Sequence, residues 1–269
     1  MRIPLIPLAL LALSALPAAA QDTGLQSLQT GDDLRGWEAV GRLDFGTDSF
    51  CTGTLITPNT VITAAHCLFD KETGRAYDTA DVTFLAGLRN GRPEAVRNVA
   101  RMVAHPSYDP QGDSVPRQVR YDVAVLRLSQ PIRHPGIQPL AFATAPSNDP
   151  SVGVVSYAQD RADAPSLQER CSVLAVEQGI LITSCLVDFG SSGAPIFRFD
   201  LGEPRLVSVV SAMAEIEGRD VSLGSDLSQP IAEVLAMLSA TSDIDTSNTG
   251  ARMVRPGDDN QTGALVVRP

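Results

Sequence analysis

Short apolar runs separated by turn-rich stretches dominate the chain from Trp37 onward. Runs such as TVITAAHC, DVAVLRL and LVSVVSAM are brief, and several alternate apolar with polar side chains, as a strand with one buried face does. Glycine, proline, asparagine and aspartate collect between the runs, in stretches such as TPNT and RNGRPE. This pattern predicts an all-β protein, a barrel or a sandwich, rather than alternating β and α units.

The N-terminus has the features of a cleavable export signal. Arg2 precedes a Leu/Ala-rich run that ends in the small residues Ala18, Ala19 and Ala20. The alternative is a membrane anchor, but the run is shorter than the roughly 20 apolar residues that span a bilayer, and prolines interrupt it. We expect cleavage before Gln21, a mature protein in the periplasm or outside the cell, and no membrane partner after cleavage.

A stretch with five prolines, LSQPIRHPGIQPLAFATAPSNDPS, divides the runs into two halves of about six strands each. Later, Pro230 and the following IAEVLAML have apolar residues at helical spacing behind a proline suited to a first turn, which predicts one short helix. The residues beyond it have the composition of a disordered segment. The expected division is a signal peptide (1–20), an N-terminal segment (21–36), a first β-barrel (37–130), a connector (131–145), a second β-barrel with the C-terminal helix (146–238) and a disordered tail (239–269).

The charge balance limits the classes of partner. The chain has 31 Asp and Glu residues against 21 Lys and Arg residues, a formal net charge of -10. This excess favours solubility and argues against nucleic acid or an anionic membrane surface as a partner.

The four cysteines are expected to form two disulfides, because an even number in an exported chain favours bridges over metal ligands or a free nucleophile. Cys51 begins one apolar run and Cys67 ends the next, so we expect these two to pair. Cys171 and Cys185 then pair by elimination. Metal-type Cys-x-x-Cys spacing is absent from the sequence, and no metal site is expected.

Three histidines limit the candidates for a general base. His134 lies between prolines and His105 precedes a proline in a turn, so both are expected to be exposed loop residues. His66 follows an apolar strand and adjoins Cys67, whose bridge would fix the backbone that carries the imidazole and contribute about 3 kcal/mol. A lone histidine at a strand end is often structural, but His66 is the best candidate for catalysis.

Three segments carry a family resemblance. CTGTLITPNTVITAAHC, YDVAVLRL and DFGSSGAP resemble the three signature regions of trypsin-like serine peptidases, in the order His, Asp, Ser, which excludes the α/β-hydrolases. The resemblance covers about residues 37–238 and is closest to small exported bacterial trypsin-like and glutamyl-endopeptidase-like members. It implies two packed six-stranded antiparallel Greek-key barrels, and a serine endopeptidase that acts on polypeptides through an acyl-enzyme without a metal or organic cofactor.

The resemblance also assigns the catalytic roles. Ser192 is the nucleophile, and His66 is the base that takes its proton. Asp122 accepts from the second ring nitrogen of His66, a role for which Asp81 and Asp113 are weaker candidates. The remaining element is an oxyanion hole formed by the backbone N–H groups of Gly190 and Ser192.

The substrate pocket departs from the family pattern. Ser211 fits it, but Ala212 and Met213 stand where an aromatic residue and a glycine are usual, so Met213 is expected to narrow or floor the pocket. Leu186 occupies the usual pocket base, which indicates a small or apolar residue before the scissile bond. Asp188 is two positions away and offers a carboxylate if the loop has an unusual shape.

Ser191 stands where zymogen-activated relatives have an aspartate that pairs with a new N-terminus. We therefore do not expect activation by N-terminal insertion, and expect the loop to be preformed or organised in another way. Together with Ala212 and Met213, this departure motivates a second hypothesis, a catalytically silent binding module. A third is an esterase-like acyl hydrolase on the same scaffold. The sequence leaves the oligomeric state open.

Overall fold

The computed structural model describes residues 24–47, 49–143 and 151–246. The expected signal peptide and the part of the expected tail beyond residue 246 lie outside the described residues. The strands are β1 Leu25–Ser27, β2 Val40–Phe45, β3 Ser49–Thr57, β4 Thr60–Thr63, β5 Val82–Ala86, β6 Ala95–Ala104, β7 Ala124–Leu128, β8 Ala141–Phe142, β9 Ser151–Ala158, β10 Arg161–Glu177, β11 Ile180–Thr183, β12 Pro195–Asp200, β13 Glu203–Ile216 and β14 Arg219–Asp226. The helices are α1 Gly31–Leu34, α2 Val115–Tyr121 and α3 Pro230–Thr246, with 3-10 helices at Ala65–Leu68 and Thr79–Asp81.

The first six long strands form a closed antiparallel barrel in the order β2-β3-β4-β7-β6-β5. Strand β5 shows how the sequence pattern produces it, because Val82, Phe84 and Ala86 are buried while Thr83 and Leu85 between them are only partly buried. This period of two places one face of the strand in the barrel interior.

A second antiparallel barrel has the order β9-β10-β11-β14-β13-β12, and β10 closes it by pairing with β9 as well as with β11. In each barrel the sixth strand lies beside the third, so the two share one Greek-key connection although the sequence has no repeat. The fold class expected from the sequence, all-β with two six-stranded barrels and a C-terminal helix, is confirmed. Two short strands extend the second barrel: β1 pairs with β10, and β8 lies parallel to β13.

The helices differ in part from the expectation. Helices α1 and α2 lie in segments that were not expected to be helical, and α3 continues past the boundary expected at residue 238, to Thr246. A reciprocal capping box begins α1, in which the Asp33 N–H donates to Thr30 Oγ1 and the Thr30 N–H donates to Asp33 Oδ2. Across the described ranges, no helix has both the length and the apolar character that a membrane crossing requires.

Contacts between the barrels fix the cleft that separates them. Tyr157 of β9 is fully buried, and its hydroxyl donates to the Leu88 carbonyl oxygen of the first barrel at 2.8 Å. Trp37 packs on Phe197 of β12 with ring centroids 4.5 Å apart. These buried aromatic contacts hold the barrels in one relative position.

Both expected disulfides are present. Cys51 on β3 is bonded to Cys67 in the 3-10 helix Ala65–Leu68, and Cys171 on β10 is bonded to Cys185 just after β11. The first bridge fastens the segment that carries His66, and the second lies at the start of the loop that carries Ser192.

His105 corrects an expectation from the sequence, because its side chain is only 1% exposed, whereas His134 is exposed as expected. The His105 ring stacks on Tyr121, and its Nε2 lies 3.3 Å from Glu233 Oε2 of α3. Nδ1 accepts a hydrogen bond from the Ser107 N–H, so protonation at Nδ1 would set two donors against each other. Burial lowers the pKa of His105, an effect that the Glu233 carboxylate partly offsets.

The free energy of unfolding is therefore expected to fall with decreasing pH. The unfolded state binds the proton at the ordinary histidine pKa of about 6.5, so stability is lost from there downward, through the lowered pKa of the folded state, by at most about 1.4 kcal/mol per pH unit. Urea denaturation between about pH 7 and pH 5 measures this slope. The slope should be shallower in His105→Gln than in the wild type and in the exposed control His134→Gln. Equal slopes in all three proteins would contradict the assignment of this pH dependence to His105.

Candidate active site

His66 lies in the cleft between the barrels, in the 3-10 helix that follows β4. Asp122 lies between α2 and β7 and is 2% exposed, whereas the His66 side chain is 22% exposed. The two residues make a double contact, because Asp122 Oδ1 accepts from the His66 backbone N–H at 2.8 Å and Oδ2 lies 2.7 Å from Nδ1. An ionised carboxylate can only accept, so in a neutral imidazole this contact favours the tautomer with the proton on Nδ1 and the lone pair on Nε2.

Ser211 of β13 makes a third contact with Asp122. Its hydroxyl donates to Asp122 Oδ2 at 2.6 Å, which links the second barrel to the aspartate of the first. Tyr108 is also close, and the charge of Asp122 adds to the burial that raises the pKa of the phenol. The buried carboxylate thus has three donors, which compensates the cost of removing its charge from water.

Two glycines shape the loop that presents Ser192 between β11 and β12. Gly190 has a φ of 93° and Gly193 a φ of 76°, a region that side-chain-bearing residues rarely adopt. A Cβ on Gly193 would lie 2.5 Å from the Thr52 carbonyl oxygen and 2.8 Å from the backbone nitrogen of Ala64. The sequence pattern around Ser192 is therefore required by the backbone and by close contact with the first barrel.

Thr52 of the first barrel holds this loop on both sides of Ser191. The Thr52 N–H donates to the Ser192 carbonyl oxygen, and the Thr52 hydroxyl donates to the Gly190 carbonyl oxygen, each at 2.9 Å. The Phe189 carbonyl oxygen accepts from the Gln159 N–H at 2.7 Å. The N–H groups of Gly190 and Ser192 donate to no acceptor within the described part of the chain, which leaves them available to an incoming oxygen.

Ser191 organises the loop without a charge. It is fully buried, and its hydroxyl accepts from the Asp188 N–H at 3.2 Å and lies 3.2 Å from Ser156 Oγ and 3.3 Å from the Tyr157 carbonyl oxygen. The buried Ser191 hydroxyl thus has partners in the second barrel and in its own loop.

One cavity of about 180 Å³ is lined by both His66 and Ser192. Among the described contacts within 3.5 Å, no hydrogen bond joins the Ser192 hydroxyl to the imidazole. Ser211 and Met213 line the same cavity. The sequence indicated all four of these residues, and the fold brings them together.

A neighbouring cavity of about 430 Å³ contains Leu186 and shares Asp188 and Met213 with the first cavity. Met213 is 48% exposed and stands between the two spaces. Sequence reasoning missed Asp220, which also lines the second cavity, because it lies on a strand that had not been recognised. Leu186 is thus close to the cleft but does not line the cavity of Ser192.

Sequence reasoning also missed Lys71 and Phe189 in the first cavity.

The cluster of Cys51, His66 and Cys67 has ligand atoms close enough for a metal, but its two sulfurs are joined to each other. That bond removes the thiolates that a metal would need.

A family model described as Trypsin matches residues 31–180, more than half of the chain. The chain belongs to the trypsin family. The matched range contains His66 and Asp122 and ends before Ser192. Trypsin-family membership agrees with the two barrels and with the chain order of the three residues.

Curated relatives in the trypsin family are matched over only part of their length. Transmembrane protease serine 5 of Homo sapiens is 31% identical over 114 residues, 42% of this chain and 23% of that protein. Kallikrein-15 of Saguinus oedipus is 29% identical over 151 residues, 52% of this chain and 49% of that protein. The chain therefore spans less than half the length of either relative.

Solved structures share the fold over most of the chain. A Glu endopeptidase in complex with MPD has a TM-score of 0.67 and 17% identity, and the match covers 83% of this chain and 100% of that one. The scabies mite inactivated protease paralogue S-D1 has a TM-score of 0.61 and 15% identity, covering 77% and 94%. At these identities the likeness establishes the trypsin-family fold and not the activity.

Proposed function

We propose that this trypsin-family protein is a serine endopeptidase that hydrolyses peptide bonds through an acyl-enzyme. The observation that carries the proposal is the double contact between His66 and the buried Asp122, beside a cavity that also contains Ser192. This contact assigns the proton to Nδ1 and makes Nε2 the base. Packing alone does not require a histidine, a buried aspartate and a serine on two separate barrels to meet at one cleft.

The proposed reaction begins when Ser192 Oγ attacks the carbonyl carbon of the scissile bond while His66 Nε2 takes its proton. The negative charge that forms on the carbonyl oxygen is stabilised by the N–H groups of Gly190 and Ser192, which have no other acceptor within the described part of the chain. His66 then protonates the leaving amine, and the acyl group stays on Ser192. Water then attacks the acyl carbon while His66 Nε2 takes a proton from it. The bond to Ser192 Oγ breaks, His66 returns the proton to that oxygen, and the acid is released.

The separation of Ser192 from the imidazole is compatible with this role, because catalytic hydrogen bonds often form only when the substrate is in place. Asp122 keeps its charge throughout and stabilises the imidazolium. Its contact with Ser211 ties this function to strand β13, along which the acyl side of a substrate would extend.

Met213 and Leu186 support a preference for a small or apolar residue before the scissile bond. Met213 lines both cavities, and a side chain of this size would limit the depth of a pocket next to Ser192. Leu186 offers an apolar surface beyond it. The carboxylates of Asp188 and Asp220 in the same region provide the competing possibility of a basic side chain, which cleavage products would reveal.

We also propose that the protein is exported, since its two disulfides belong to oxidising compartments.

Digestion of a complex peptide mixture by the purified protein tests the proposed function. New termini found by mass spectrometry should follow small or apolar residues, and they should be absent with Ser192→Ala prepared in parallel. Cleavage that persists in this variant would overturn the proposal. A folded protein that hydrolyses simple esters but no peptide would instead support the esterase, and one that does neither would support the binding module.

A further inference from the structure

Lys71 is the only lysine in the chain, and it lines the cavity that contains His66 and Ser192. Its Nζ lies 5.9 Å from the centroid of the Phe189 ring, which belongs to the nucleophile loop and is 62% exposed. A cation at this distance is attracted by the face of the ring. The contact joins two residues that line the cavity of His66 and Ser192.

No carboxylate of the described residues forms an ion pair with Lys71. Its neighbour Asp70 faces the turn instead, where Asp70 Oδ1 accepts from the Thr73 N–H at 2.8 Å and from the Thr73 hydroxyl at 2.6 Å. The same turn is closed by the Asp70 N–H, which donates to the Arg75 carbonyl oxygen at 2.9 Å. The turn therefore presents Lys71 while keeping the Asp70 carboxylate occupied.

The position of Lys71 relative to His66 indicates which part of a substrate it meets. The leaving amine must approach His66 to receive its proton, so the leaving segment passes along the side of the cleft built by His66 and the residues that follow it. Strand β13 with Ser211 and Met213 lies in the second barrel and serves the acyl side. Lys71 follows His66 in the same segment of the first barrel.

We propose that Lys71 binds a carboxylate on the leaving-group side of the scissile bond, either an Asp or Glu side chain or the C-terminus of a short substrate. The inference rests on the proposed peptidase function and specifies its substrate class. An exposed pair between an ammonium and a carboxylate changes an affinity about two- to fivefold, and salt weakens it.

The test uses pairs of internally quenched peptides built around one cleavage site, identical except for Glu or Gln at the first, second or third position after the scissile bond. A further pair ends at these positions as a free acid or an amide, which separates the two sources of the carboxylate. The wild type should cleave the carboxylate member of at least one pair with a kcat/KM about three- to fivefold higher at low salt. Lys71→Met should abolish this preference for the carboxylate member, and Lys71→Arg should retain it. Lys71→Glu should reverse it, so that the neutral member is cleaved faster.

Arg75→Met is the matched control, because Arg75 is an exposed cation of the same turn that does not line the cavity. The ratio should stay unchanged in this variant. A purely structural role of Lys71 through Phe189 would lower kcat/KM equally for both members of each pair. That result, or a wild type without any preference, would overturn the inference.

Binding separates this inference from the proposed function. Fluorescence anisotropy uses the same peptide sequences with a single fluorophore and no quencher. Binding to Ser192→Ala should show an about two- to fivefold preference for the carboxylate member, and Ser192→Ala combined with Lys71→Met should lose this preference. If no peptide is hydrolysed but this difference in binding persists, the peptidase function fails and Lys71 still binds a carboxylate. If peptides are hydrolysed and neither readout depends on Lys71, the inference alone fails.

Discussion

Replacing His66 by alanine is expected to lower kcat for peptide hydrolysis by about 10⁴- to 10⁶-fold. The reason is that Ser192 would then have no base for its proton and no acid for the leaving amine, whereas the oxyanion donors would be unchanged. The fold should persist, since the His66 side chain is partly exposed and the bridge between Cys51 and Cys67 holds its backbone. Initial rates on a peptide identified by digestion, together with a circular dichroism spectrum, measure both effects.

His134→Ala is the matched control for this experiment. His134 is an exposed loop histidine whose Nδ1 accepts only from the nearby Gly136 N–H among the described contacts. This variant should retain wild-type rates. A His66→Ala protein that stays within tenfold of the wild type would refute the assignment of the base.

Asp122→Asn is expected to lower kcat by about 10⁴-fold through the tautomer of His66. An amide has only one carbonyl oxygen, and that oxygen must face the His66 backbone N–H, which can only donate. The amide nitrogen then faces Nδ1, which must accept, so the ring proton moves to Nε2. Nε2 can no longer take the proton of Ser192. The rates are measured at saturating substrate, and thermal unfolding checks that the variant is folded.

Ser211→Ala separates the charge of Asp122 from its positioning. This variant removes the donor that lies 2.6 Å from Asp122 Oδ2 but leaves the carboxylate and both contacts with His66. We expect kcat to be at least tenfold higher in Ser211→Ala than in Asp122→Asn. Equal losses in the two variants would show that tautomer control is the wrong explanation.

The fold could be predicted largely from alternating apolar positions, but strand β14 could not. Its buried residues include Ser222, Gly224 and Ser225, and both serines are fully buried. Their hydroxyls are satisfied by partners far away in sequence: the Ser222 hydroxyl lies 2.6 Å from Thr183 Oγ1, and the Ser225 hydroxyl donates to the Arg120 carbonyl oxygen. Because these buried positions carry a hydroxyl or no side chain at all, they weaken the hydrophobic pattern from which a strand is detected.

The candidate site, like the fold, could be predicted from the sequence only in part. His66, Asp122 and Ser192 could be placed together from motifs that lie within short segments. The support of Ser191 by Ser156 and Tyr157 could not, because it depends on residues 34 and 35 positions away that only the second barrel brings close. Lys71 was missed because it lies in a turn, where a single charged residue carries no pattern.

Labelling with a fluorophosphonate probe tests the central claim most directly, because the probe reacts with a serine that an adjacent base activates. Purified wild type and Ser129→Ala, which alters an exposed serine, should be labelled equally, and Ser192→Ala should not be labelled at all. Labelling of Ser192→Ala at the wild-type level, or a folded wild type that is not labelled, would contradict the assignment of Ser192 as the activated nucleophile.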